Sequence, residues 1–196
     1  MHSATLSGMV LTAILIAALT SFSSCSSGNG KPDAGSGVKG EKEIVQAPAI
    51  DIYTATLMGD IDAIKQHIRA GTDLDVKDAY GSSPLITAAV FGRTEVAGAL
   101  IKGGADLNIT NNDGSPALHS AAFLCRTEIV RMLLDSGADK DIRNNFGHTA
   151  LETVTGPWES AVGIYDVFSR DLGPLGLKLD YEQIRETRSV VADMLQ

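Results

Sequence analysis

Two ladders of glycine share one period in this chain. Gly81, Gly114 and Gly147 are spaced by 33 residues, and so are Gly71, Gly104 and Gly137. A fixed self-similarity of that length marks a stack of supersecondary units, each too small to bury its apolar face alone. The chain is therefore expected to build its core between neighbouring copies and to grow along one direction.

The residues between the glycines read as two helices per copy. Val96, Leu100 and Ile101 recur as Ile129, Leu133 and Leu134, the spacing of one apolar helix face. Ala88 and Ala89 recur as Ala121 and Ala122, small enough to let first helices of adjacent copies approach closely. Gly71, Gly104 and Gly137 follow the second helices, where a left-handed residue ends the last turn. Asp106 and Asp139 sit in turns where a carboxylate satisfies backbone donors.

The content of each copy resembles the ankyrin repeat. The stretches "GSSPLITAAVFGRTEVAGALIKGGADLNI" and "GSPALHSAAFLCRTEIVRMLLDSGADKDI" follow the pattern Gly-x-Thr-Pro-Leu-His-x-Ala-Ala, then an apolar helix closed by Gly-Ala-Asp. "ATLMGDIDAIKQHIRAGTDLDV" is a divergent earlier copy, and "GHTALETV" opens a later one. The resemblance spans roughly residues 47–196 and implies an all-α solenoid of three to four helix-turn-helix units with short hairpin loops. Units are placed at about 47–77, 78–110, 111–143 and 144–196. His119 falls in the family's histidine slot, which serves hydrogen bonding within and between repeats, but the preceding threonine slot holds Pro116.

The fourth copy departs from the pattern. After "GHTALETV" comes an insert at about 155–184, before a second helix in "RETRSVVADMLQ". Matching Val190 to Ile129 gives a separation of 61, which is 28 more than one period. Trp158, Val162 and Tyr165 have helical spacing, with Phe168 and Leu172 beyond, and Gly173-Pro174 would stop that helix. Asp180 with Gln183 makes a cap for the last one. The insert reads either as a carboxy-terminal cap on the stack or as a ligand site around Trp158.

The amino terminus is not part of the repeat. Met9 to Leu19 is an apolar run of 11 residues, against the roughly 20 needed to span a bilayer. It fits the hydrophobic region of a signal peptide over 1–24. "SFSSC" resembles a bacterial lipobox, which implies a lipidated Cys25 and attachment to the cell envelope, facing the periplasm or the exterior; cleavage near Ser23 would instead release a soluble periplasmic or secreted protein. Residues 25–46, rich in Gly, Ser and charge, read as a tether.

The net charge of −8 argues against nucleic acid and anionic membrane surfaces, leaving a lipid anchor as the membrane contact. With two cysteines, Cys25 and Cys125, no disulfide framework is expected, and no catalytic constellation, metal set or cofactor motif is found. Cys125 stands where Gly59 and Gly92 stand in earlier copies.

What remains is surface. The family binds proteins through hairpin tips and the concave face of its first helices. By position, the resemblance assigns Lys77, Ala79, Tyr80, Thr110, Asn112, Asp113, Arg143, Asn145 and Phe146 to the tips. It assigns Val90, Phe91, Phe123 and Leu124 to the adjoining helices. The expectation is a monomeric, noncatalytic module that binds an envelope protein. Two alternatives stay open: a scaffold without a dedicated partner, and a small-molecule or enzymatic site in the insert.

Overall fold

The computed structural model describes residues 45–196. The signal peptide, Cys25 and all but the last two residues of the tether lie outside them. Helices α1 (Ile52–Met58), α3 (Pro84–Phe91), α5 (Ala117–Phe123) and α7 (Ala150–Thr155) pack in succession as one layer. Helices α2 (Ile61–Arg69), α4 (Thr94–Lys102) and α6 (Thr127–Asp135) form the second layer, which α9 (Tyr181–Leu195) completes. Between α7 and α9 the insert forms α8 (Trp158–Leu172) and a short 3₁₀ turn, Gly173–Leu175. The fold is an ankyrin-type helical solenoid.

The core is the repeat read in depth. Leu85 and Leu118, Val96 and Ile129, and Leu100 and Leu133 are all buried at equivalent positions. Each such side chain contributes about 1.5 to 3 kcal/mol on burial. Ala88, Ala89, Ala121 and Ala122 are fully buried between first helices, where a larger side chain would force the units apart.

The hairpins are held by a ladder of side chains and backbone. Asp78, Asn111 and Asn144 each accept two backbone N–H bonds from residues two and four positions on, which folds the tip. Asn112 Nδ2 then donates to the Ala79 carbonyl of the preceding hairpin at 3.2 Å, and Asn145 Nδ2 donates to the Asn112 carbonyl at 2.9 Å. Gly81 and Gly114 have φ of 73°, and a Cβ at either would meet the asparagine of the next hairpin. Only glycine supplies both the left-handed turn and the space.

The chain just before α1 already meets the stack, and the register of α9 differs from the one expected. The Gln46 carbonyl accepts from Gln66 Nε2 at 2.8 Å, so contact with the stack begins before residue 47. In α9 the buried Val191, Ala192 and Leu195 match Ile129, Val130 and Leu133 at a separation of 62 rather than 61. Val190 is half exposed. Two adjacent valines are indistinguishable by pattern, and the packing of α9 on α6 and α7 selects the second.

Candidate interaction surface

The tips present their residues to solvent at one-period spacing. Tyr80 is 69% exposed and Phe146 70% exposed, with the exposed Asp113 between them at the equivalent position. Asn112 N donates to the Tyr80 carbonyl and Asn145 N to the Asp113 carbonyl, both at 2.9 Å, so the three tips are in register. Ala79, Asn112 and Asn145 are exposed but carry the side-chain ladder. Lys77 Nζ donates to the half-buried Thr110 carbonyl at 2.8 Å, and Arg143 forms a 2.7 Å ion pair with Glu152.

The helix positions are not equivalent to one another. Met58, Phe91 and Leu124 end the first helices of three successive units, one period apart, yet Met58 is 69% exposed, Phe91 half-buried and Leu124 only 1% exposed. Leu124 is therefore not a surface residue, contrary to the assignment by position. Helix α8 covers it, in a second small core formed with Ala161, Tyr165 and Ile184. Phe123 is half-buried in the same place, its ring stacked on Tyr165 at 4.6 Å between centroids and edge-on to Phe168 at 6.0 Å. Val90 packs at the junction of the two cores.

The backbone shows why the insert lies there. The carbonyls of Leu57, Val90 and Phe123 are equivalent groups at the ends of α1, α3 and α5. Arg93 Nε donates to the first at 2.9 Å and Arg126 Nη2 to the second at 3.4 Å, each from the following unit. The equivalent arginine of the fourth unit is Arg188, 62 residues after Arg126 as Val191 is after Ile129, and it donates to other groups than the third carbonyl. The buried hydroxyl of Tyr165 donates to the Phe123 carbonyl instead, at 2.8 Å. Arg188, buried on α9 and without a salt bridge among the described residues, holds this arrangement from behind: Nη1 donates to the Tyr165 hydroxyl at 3.2 Å and Nη2 to the Gly156 carbonyl at 2.6 Å. Its guanidinium and that of Arg185 lie about 6 Å from the Trp158 ring centroid, over the indole face. Trp158 is thus half-buried in the insert's own core.

Neither Tyr165 nor Arg188 was assigned a role from sequence. Tyr165 showed only as one apolar position on a helix, and Arg188 falls in the slot of Arg93 and Arg126 only when the separation is taken as 62 rather than 61. Met58 was legible, since it sits one period before Phe91.

Cys125 and His119 depart from the repeat's usual arrangement. Cys125 adopts φ of 52°, the left-handed conformation its glycine equivalents occupy freely, and its thiol approaches the Ile184 carbonyl of α9 at 3.5 Å. Burial pushes its pKa up to about 11. His119 donates through Nε2 to the His148 carbonyl at 2.9 Å, which links third and fourth units and leaves Nδ1 as a bare acceptor. Nδ1 is buried without a partner, since Pro116 offers no hydroxyl. Burial also holds the His119 pKa below the ordinary histidine range.

Comparison with known proteins agrees with this architecture. Residues 52–144 match the family model for ankyrin repeats, in three copies. The fold is similar to the crystal structure of the ankyrin repeat domain of Bcl-3, described as a unique member of the IkappaB protein family, at a TM-score of 0.51 and 28% identity. The match covers 59% of this chain and 50% of that one, so this chain spans about half of the solved domain. No curated protein sequence matches.

Proposed function

Taking as premise that this chain carries a stack of ankyrin repeats, a scaffold generally used for protein–protein interaction, we propose that it is a noncatalytic module gripping a protein partner along its hairpin tips. The observation that carries this reading is the exposure of Tyr80 and Phe146 on tips held rigid by the asparagine ladder. Large apolar rings kept in water on a preorganised frame are the residues whose burial dominates interface energetics. Phe91 and Met58 extend the surface onto the open end of the first-helix layer. Phe123 and Leu124 do not, because α8 occupies that end.

The same reading places the module at a bacterial cell envelope as a monomer, tethered through a lipidated Cys25. The apolar run from Met9 to Leu19 and the "SFSSC" stretch support it. Two experiments test the two halves. Pull-down from detergent-solubilised envelope should yield a stoichiometric protein that Tyr80→Ala/Phe146→Ala loses; a partner retained by that variant refutes the tip surface. Labelling with a fatty-acid analogue should mark the wild type and not Cys25→Ser, and persistent labelling of the variant refutes the anchor.

A further inference from the structure

The tips carry charge as well as aromatic surface. Of the cations nearest the hairpins, Arg143 is paired with Glu152, whereas Lys77 donates to the Thr110 carbonyl and Lys140 to the carbonyls of Leu195 and Gln196, which leaves their charge in place. Asp106 and Asp139 accept only backbone N–H groups, so their charge stays unneutralised. Among the described residues the Asp113 carboxylate makes no hydrogen bond and no salt bridge, and it is exposed midway between Tyr80 and Phe146.

Resting on the tip reading above, we infer that the occupant is an extended peptide segment of the form apolar-x-x-basic-x-x-apolar. The spacing follows from geometry. Adjacent units repeat at the distance of packed helices, about 8 to 10 Å. A polyproline II segment turns once every three residues with a rise of about 3.1 Å each, so residues three apart lie on one face about 9 Å apart. Such a segment sets an apolar side chain on Tyr80, an Arg or Lys on Asp113, and a second apolar side chain on Phe146. A β-strand places residues three apart on opposite faces and cannot meet all three tips. The net charge of −8 favours approach of a basic segment from a distance.

The test is selection of a random-peptide display library on the full chain, followed by affinity measurement on the enriched peptides. Enrichment of Arg or Lys flanked by apolar residues three positions away on each side is expected. Asp113→Asn should then weaken binding about threefold to fivefold, the range of an exposed ion pair, with loss of most of the salt dependence. Tyr80→Ala and Phe146→Ala should each weaken it tenfold or more. Enriched peptides that need both aromatics but carry no basic residue, or ignore Asp113→Asn, overturn the inference and leave the tip reading intact. Peptides indifferent to Tyr80→Ala and Phe146→Ala overturn the tip reading itself. A basic-to-apolar spacing of seven would mean a helical occupant and overturn the extended one, as would failure to enrich any peptide.

Discussion

Replacing Pro116 by threonine should make this protein more stable. Pro116 has φ −77° and ψ 176°, nearly the conformation of Ser83 and Thr149 at the starts of α3 and α7. Those two hydroxyls accept from the backbone N–H three residues on, at 3.3 Å each, and α5 has no such bond. A threonine here would accept from His119 N and turn its own proton toward His119 Nδ1. An N-cap contributes about 0.5 to 2 kcal/mol, and the low end applies because His119 N already reaches the Pro116 carbonyl at 3.0 Å. Satisfying a buried orphan acceptor contributes about 1 to 3 kcal/mol. Losing proline's restriction of the unfolded chain costs about 0.4 to 1 kcal/mol. The balance is about 1 to 2 kcal/mol, or an increase in Tm of roughly 2 to 8 °C for a domain of this size. Thermal and urea denaturation of the full chain measure it. In a His119→Leu background the gain should vanish, since the cap and the lost proline restriction nearly cancel, a coupling of about 1 to 2 kcal/mol in the double-mutant cycle. An unchanged or lowered Tm, or a gain that survives His119→Leu intact, would refute the hydrogen-bond reasoning.

Four further outcomes are expected. Because burial lowers the folded pKa of His119, the unfolded chain binds more protons below about pH 6.5, so stability present above that pH should fall as pH drops through it; urea titrations across that range should show a His119-dependent slope. Tyr165→Phe leaves the Phe123 carbonyl and a donor of buried Arg188 without their partner and should cost about 1 to 3 kcal/mol by chemical denaturation. Leu118→Ala opens the fully buried core and should cost about 2 to 5 kcal/mol, whereas Tyr80→Ala and Phe146→Ala should stay within about 0.5 kcal/mol of wild type. With its pKa pushed up to about 11, the Cys125 thiol should react with iodoacetamide at pH 8 about a hundredfold more slowly in the folded Cys25→Ser chain than after unfolding; equal rates would show that the site opens readily.

Much of this molecule could be read without coordinates because a repeat is a local object. The period, the two helices per unit, the glycines at the tips and the alanines between first helices each follow from steric and hydrophobic demands met within some 33 residues and by the adjacent copy. Even the orphaned nitrogen of His119 was foreshadowed by the proline in the threonine slot. The exposed rings of Tyr80 and Phe146 follow from the same logic, since a tip has no neighbour to cover it. The tertiary structure decided whatever breaks the translational symmetry. Phe91 and Leu124 hold the same place in consecutive units, yet the second is buried because a helix some 40 residues further on folds back over it, with Tyr165 serving the carbonyl that an arginine serves elsewhere. The register of α9 was settled likewise, by which of two adjacent valines meets α6. No period in the sequence encodes those contacts, because each is made once, between segments whose separation in the chain follows no rule, and only the geometry of packing brings them together.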